Sequence, residues 1–144
     1  MEHNLERFIA AQKGVFQTAL SELQQGRKQT HWMWFIFPQI QGLGFSDTAK
    51  FYAVENLAEA QHFMQHRVLG PRLVLISSAL LELESADAYK IFGSPDDLKL
   101  HSSMTLFSEV PNTNPVFTKV LEKFFGSRKD NKTLKMLALL NGTR

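Results

Sequence analysis

Short apolar stripes at helical spacing follow one another along the chain, and no stretch alternates apolar and polar residues as a half-buried strand does. The first stripe predicts one long helix over residues 5–25 that ends at Gly26. Its apolar positions are Leu5, Phe8, Ile9, Phe16, Ala19, Leu20 and Leu23. The pattern predicts an all-α, compact single domain over residues 1–144, made of about seven or eight short helices.

Capping and helix-breaking residues mark the expected helix boundaries. We expect helices to begin at Ser46-Asp47, Asn56, Gly70-Pro71, Ser85, Ser94-Pro95, Asn114-Pro115 and Asp130, and to end near His66, Gly93, Pro111 and Gly126. Asn56 followed by Glu59 resembles a capping box, and Ser94 is a candidate cap with Pro95 at the first helical position. The apolar run Trp32–Phe37 fits a buried strand or a buried helical turn equally well, and Pro38 ends it.

The composition excludes several kinds of site and partner. Cysteine is absent, which excludes disulfides, thiolate nucleophiles and cysteine-ligated zinc. Sixteen basic residues against fourteen acidic ones do not give the excess of positive charge that is typical of nucleic-acid-binding proteins. We therefore do not expect nucleic acid as a partner. The first residues do not resemble a secretory signal, and the longest apolar run is far shorter than the roughly 20 residues that span a bilayer. We therefore expect a cytoplasmic monomer with no membrane association, no metal and no cofactor.

Polar residues within apolar stripes are the first candidates for function. Gln12 lies in the middle of the first stripe, where an amide without a partner costs about 1–3 kcal/mol. It is therefore either a core glutamine bonded to a backbone carbonyl or a residue that binds a ligand in a pocket.

The segment THWMWFIFPQIQGLGFS, residues 30–46, poses the same choice more strongly. His31, Trp32, Trp34 and Gln39 bring polar atoms into an aromatic run, which is the usual make-up of a ligand site. Tryptophans in small helical proteins are also often plain core residues. Further along, Lys99 and the hydroxyl group of Ser103 could contact a phosphate or a sugar, although small hydroxyl residues also allow close helix packing.

Other motifs carry less information. Gly42 and Gly44 do not match the spacing of a dinucleotide or triphosphate loop, so we interpret them as a plain turn. His62 and His66 stand four apart, but no third metal ligand is indicated, and exposed histidines are the simpler interpretation. No Ser-His-Asp order or paired-carboxylate motif can be recognised.

Several motifs together resemble a bacterial family known as domain of unknown function 1810. They are GRKQTHWMWFIFPQIQGLG, HRVLGPRL, IFG, KLHSSMTLF and DNKTL, in this order along nearly the whole chain. The resemblance implies a compact, mainly helical single domain, and it implies no particular reaction. The family often has proline after the histidine matched by His66, whereas this chain has Arg67, which affects the turn there. A much looser likeness, through AQK in the first helix and the step LG-x-R, is to helical N-glycosidases that process ADP-ribose-type nucleotides.

Two functions from different classes remain. The first is a pocket that binds or processes a nucleotide- or ADP-ribose-like small molecule, and the sequence leaves open whether the protein is an enzyme. In that pocket His31 would be the general acid or base, because histidine changes charge near neutral pH. Its ligand-binding residues would be Gln12, Trp32, Trp34, Gln39, Lys99 and Ser103. The second is a non-catalytic protein-interaction module whose aromatic motif is purely core. We favour the first.

Overall fold

The computed structural model describes residues 4–140. These residues form ten helices and no β-strand: α1 (Glu6–Gln12), α2 (Phe16–Gln24), α3 (Met33–Ile36), α4 (Asp47–Tyr52), α5 (Leu57–Gln65), α6 (Leu69–Leu81), α7 (Ala88–Phe92), α8 (Asp96–Ser108), α9 (Val116–Phe125) and α10 (Asn131–Leu140). The all-α prediction is confirmed, with more helices than the seven or eight expected. Within the described range, none of these helices has both the length and the apolar character that crossing a membrane requires.

The first predicted helix is in fact two helices, so the prediction of one helix over residues 5–25 is wrong. The chain turns between α1 and α2, where Lys13 is extended and Gly14 adopts a φ of +74°. This φ lies in the left-handed region that glycine enters without steric cost. Phe8 and Phe16, on either side of the turn, are both buried, which is why one apolar stripe seemed continuous.

Three of the seven predicted helix starts are confirmed by side-chain caps. The backbone N–H groups of Ala49, Glu59 and Thr133 donate to the side chains of Ser46, Asn56 and Asp130, at 3.1, 2.9 and 3.1 Å. Gly126 ends α9 in the left-handed conformation, with a φ of +60°. These features depend only on neighbouring residues, so the sequence predicts them well.

Two predicted caps are wrong. Asp87, not Ser85, caps α7, because its carboxylate accepts from the backbone N–H groups of Tyr89 and Lys90. At the start of α8 the cap position belongs to Pro95, and no side chain caps this helix, so Ser94 does not have the predicted role. In both places the helix begins one or two residues later than the motif suggested.

Helices α6 and α8 form the centre of the core. α8 packs against α5, α7, α9 and α10, and α6 packs against α2, α5 and α9. The end of α6 is tied to α9 by Lys123, whose ammonium donates to the backbone oxygens of Leu80 and Leu81 at 3.0 and 3.2 Å. Every residue from Ser102 to Phe107 is buried, so α8 contributes nearly its whole circumference to the interior.

The aromatic run forms the helical turn α3, which settles the ambiguity between strand and helix. After Pro38 the chain becomes extended and forms an isolated parallel bridge between Ile40 and Val54. Val54 donates its N–H to Gln39 O at 2.8 Å, and Gln41 donates to Val54 O at 2.9 Å. The bridge fixes the backbone of Gln39 and directs the following loop toward α8 and α10.

Candidate functional site

The aromatic segment has one side that is enclosed by protein, which we call the closed side, and Trp32 lies there. It is fully buried against Phe37 and Phe92, and its indole N–H donates to Glu22 Oε1 at 2.9 Å. Its polar atom therefore has a protein partner and does not require a ligand.

Glu22 is held by a set of hydrogen bonds beside this tryptophan. Its carboxylate accepts from the Thr30 hydroxyl at 2.6 Å, from the backbone N–H groups of Gln29 and Thr30 at 2.8 and 3.1 Å, and from Trp32. Burial of the carboxylate by itself raises its pKa, but these hydrogen bonds outweigh that effect and lower the pKa of Glu22 to about 2. The ionised carboxylate thus holds residues 29–32 against α2.

Gln12 is also enclosed, and both ends of its amide are hydrogen-bonded to the protein. It is 2% exposed, donates from Nε2 to Phe35 O at 2.9 Å, and accepts at Oε1 from Arg72 Nη1 at 3.2 Å. The amide therefore links α1, α3 and α6.

His31, by contrast, has an exposed side chain. The structure does not bring Gln12, His31 and Trp32 together around one hollow.

An open cleft of about 760 Å³ lies where the loop of residues 41–46 meets the first turns of α8 and the start of α10. Its walls include Trp34, Gln39, Phe45, Leu98, Lys99, His101, Ser102, Asp130 and Lys132. Three predicted ligand-binding residues, Trp34, Gln39 and Lys99, therefore meet here. Whether they bind a ligand stays a prediction.

A cation lies over an aromatic ring in this cleft. The Lys99 ammonium is 4.5 Å from the centre of the half-buried Trp34 ring, which is a favourable cation–π distance. Asp96 faces Lys99 at 3.5 Å and also Lys28 at 2.9 Å, so one carboxylate is shared between two ammonium groups. Lys132, exposed in the cleft wall, adds a further positive charge.

Gln39 belongs to a chain of hydrogen bonds at the back of the cleft. Its Nε2 donates to Ser102 Oγ at 2.6 Å, and the Ser102 hydroxyl donates to Lys99 O at 3.1 Å. Ser103, the next residue on α8, is fully buried, and its hydroxyl oxygen has no hydrogen-bond partner. Ser103 was a predicted ligand-binding residue, and it is not part of the cleft wall.

His101 and Asp130 are cleft residues that the sequence analysis missed. The His101 ring stacks on Phe125 with centroids 4.2 Å apart, and its Nε2 lies 2.8 Å from Arg128 O. A carbonyl oxygen only accepts, so Nε2 carries a hydrogen, and Nδ1 is an acceptor when the ring is neutral. The Asp130 carboxylate accepts a hydrogen bond from the Thr133 hydroxyl at 2.6 Å, as expected of a residue that caps a helix. The one signal for His101 was its place in the motif KLHSSMTLF.

The loop at the cleft mouth needs its glycines. Gly42 has a φ of +95°, and a Cβ added to Gly44 would lie 2.7 Å from the Cβ of Ala49. The loop therefore packs closely on α4 and exposes Phe45, whose side chain is 82% accessible. The turn interpreted as plain from its spacing thus forms one edge of the cleft.

Among residues 4–140, no three His, Asp or Glu side chains are grouped so that they could hold a metal ion. His66 uses Nδ1 to accept from the backbone N–H groups of Val68 and Leu69, at 3.1 and 3.3 Å, at the start of α6.

Comparison with known proteins gives the family of this chain. It is similar to the conserved hypothetical protein Rv1873 from Mycobacterium tuberculosis, whose crystal structure matches with a TM-score of 0.91 and 44% identity, over 94% of this chain and 96% of that one. No curated protein matches the chain significantly. The model of the family described as protein of unknown function (DUF1810) matches residues 2–137. The predicted resemblance is therefore confirmed, and the chain belongs to the DUF1810 family.

Proposed function

We propose that the cleft binds a small molecule that combines a flat ring with an anionic group, as nucleotides and ADP-ribose derivatives do. The observation that carries this proposal is the Lys99 ammonium lying 4.5 Å from the centre of the Trp34 ring, in the cleft wall. The ammonium lies over the ring, so it can contact an anion while a flat ligand ring stacks on the part of the indole that it leaves uncovered. The volume of about 760 Å³ lies within the range of small-molecule sites, roughly 300–1,000 Å³.

The charges around the cleft support an anionic ligand. Lys28 and Lys99 share the carboxylate of Asp96, so their positive charge is only partly balanced. In the cleft wall, Lys99 and Lys132 outnumber the one carboxylate, that of Asp130, which stays negatively charged although it accepts from the Thr133 hydroxyl. A phosphate between Lys99 and Lys132 would gain charge-assisted hydrogen bonds.

The proposal concerns binding and assigns no reaction. A catalytic role for His31 stays a separate prediction, because its exposed side chain is not part of the cleft wall. His101 is the histidine of this wall, and its Nδ1 has the acceptor character that a general base needs when the ring is neutral.

The alternative function, an interaction module whose aromatic residues are purely core, is favoured by one observation. Trp32 is fully buried, and its N–H donates to Glu22, so this one of the two tryptophans has a structural role. The exposed Phe45 and Leu98, 82% and 62% accessible, would then contact a protein instead of flanking a ligand.

Calorimetric titration with AMP and with ADP-ribose tests the proposal. We expect Lys99→Met and Trp34→Leu each to weaken binding about tenfold, which corresponds to about 1.4 kcal/mol. Lys90→Met, which removes an exposed lysine outside the cleft, is the matched control and should leave the affinity unchanged. His31→Ala in the same titration shows whether His31 contributes to binding, and it leaves the predicted catalytic role of His31 as a separate question.

Two results would reject the proposal. The first is the absence of binding by either nucleotide at millimolar concentration. The second is binding that neither cleft variant weakens, because the ligand would then lie elsewhere on the protein. Backbone amide shifts on titration should be largest for the loop 41–46 and the first two turns of α8.

A further inference from the structure

We propose that Gln39 makes the cleft selective for ligands that present a hydrogen-bond donor at this point, such as the amino group of adenine or cytosine. A ligand with a carbonyl oxygen in the same place would be disfavoured. This inference rests on the proposed function, because it assigns a ligand class to the same cleft. The residues that carry it are Gln39, Ser102 and Lys99.

The orientation of the Gln39 amide follows from the hydrogen-bond chain behind it. A serine hydroxyl has one hydrogen, and that of Ser102 is donated to Lys99 O at 3.1 Å. A backbone carbonyl cannot donate in return, so Ser102 Oγ is left as an acceptor. It accepts from Gln39 Nε2 at 2.6 Å. The amide nitrogen therefore faces α8, and the amide oxygen is the end left for a ligand.

Gln39 Oε1 is accessible and unpartnered. Within residues 4–140 no protein group donates to it, and the sealed side-chain atoms without partners are Ser103 Oγ and Thr113 Oγ1. Gln39 is half-buried and lines the cleft. Its oxygen is thus an acceptor that solvent can reach, and a donor on a ligand in the cleft would take the place of water there.

The position of this acceptor is fixed before any ligand arrives. Gln39 O accepts from Val54 N at 2.8 Å, and the next residue, Ile40, forms the isolated bridge. The backbone is therefore held on one side and the side chain on the other. A preorganised polar group of this kind discriminates well, because it cannot rotate to suit a mismatched ligand without losing its own hydrogen bond.

Pairs of nucleotides that differ in one exocyclic group test the inference. AMP carries an amino group where IMP carries an oxygen, and CMP differs from UMP in the same sense. One net hydrogen bond is worth about 0.5–1.5 kcal/mol, so we expect AMP and CMP to bind roughly 2- to 10-fold more tightly than IMP and UMP. Calorimetric titration of the full chain measures both ratios under identical conditions.

Three variants separate this cause from others. Gln39→Leu removes the acceptor, and Ser102→Ala removes the group that orients it, so both should bring the AMP/IMP ratio toward one. Ser102→Ala changes a single buried oxygen, so it keeps the test valid if Gln39→Leu folds poorly. Ser103→Ala is the matched control, since it deletes the neighbouring hydroxyl, which has no partner, and should leave the ratio unchanged.

The possible outcomes are distinct. Binding in the cleft with equal affinity for AMP and IMP, or with a preference for IMP, overturns this inference and leaves the proposed function standing. A preference for AMP that survives both Gln39→Leu and Ser102→Ala also overturns it, because another group would then select the ligand. The absence of any nucleotide binding rejects the proposed function and this inference together.

Discussion

Two tryptophans only two positions apart have opposite surroundings in this protein. Trp32 is fully enclosed, and its indole N–H is bonded to Glu22. Trp34 is half-buried in the wall of an open cleft, with the Lys99 ammonium over its ring. The aromatic segment thus has a closed side and a cleft side. The difference shows that an aromatic residue with polar neighbours is not by itself a sign of a ligand site.

What separates the two sides is whether the polar atoms already have partners. On the closed side, Gln12 and Glu22 are both bonded to protein groups. On the cleft side, Gln39 uses its nitrogen and keeps its oxygen free. Unsatisfied and accessible polar atoms cost little in water and are available to a ligand, whereas satisfied ones mainly stabilise the fold.

The largest expected effect is the contrast in stability between alanine variants of the two tryptophans. Trp32→Ala should destabilise the protein by about 3–5 kcal/mol, because it leaves a cavity in a sealed core. Trp34→Ala should cost clearly less, because its side chain is only half-buried. Urea denaturation followed by circular dichroism measures both free energies of unfolding.

A second substitution shows how much of this effect comes from the indole N–H. Trp32→Phe retains most of the ring and removes the donor to Glu22, so its cost should fall to about 1–3 kcal/mol. Equal losses for Trp32→Ala and Trp34→Ala would contradict the division into a closed side and a cleft side.

A smaller effect is expected for Gln12→Leu. The substitution removes the donor to Phe35 O and the acceptor for Arg72, and we expect a loss of about 1–3 kcal/mol in the free energy of unfolding. The matched control is Gln17→Leu, at an exposed position of α2, which should change stability by less than about 0.5 kcal/mol.

The same Gln12 variant tests the sequence-based prediction that this residue binds a ligand. If Gln12 has only the structural role, Gln12→Leu will bind AMP with unchanged affinity despite its lower stability. A loss of affinity as large as that of Lys99→Met would show instead that the closed side contributes to binding.

The helical architecture could be predicted because its signals are local. Asn56, Gly126 and Asp130 act on residues within one turn, so their patterns mark helix ends reliably. The division of the first helix was missed because apolar residues at the right spacing continue through it, and the single glycine at position 14 gave no sign that it turns the chain.

The cleft could be predicted only in part, because it depends on contacts between distant residues. Trp34, Gln39 and Lys99 were selected for their chemistry, but Gln39 and its partner Ser102 are 63 positions apart. No spacing in the sequence shows that they meet. For the same reason nothing distinguished His101, which lines the cleft, from His31, which does not.

The smallest expected effect concerns acid sensitivity on the closed side. The pKa of Glu22 is lowered from 4.5 to about 2 in the folded protein. A carboxylate whose pKa is lowered by folding stabilises the folded state at every pH above its ordinary pKa of 4.5. This contribution is lost as the pH falls from about 4.5 toward 2. We expect Glu22→Gln to be less stable at pH 7 and to lose less stability than wild type between pH 5 and pH 2, because an amide does not titrate.

Tryptophan fluorescence can locate this effect. The chain contains two tryptophans, so in a Trp34→Phe background the emission reports on Trp32 alone. Protonation of Glu22 removes the charge that accepts from the indole N–H, and the Trp32 emission should change with acid before global unfolding.

Glu84→Gln, which replaces an exposed carboxylate, is the control and should keep the wild-type profile. An unaltered pH profile in Glu22→Gln would mean that the carboxylate does not hold residues 29–32, and that burial of the ring alone closes this side.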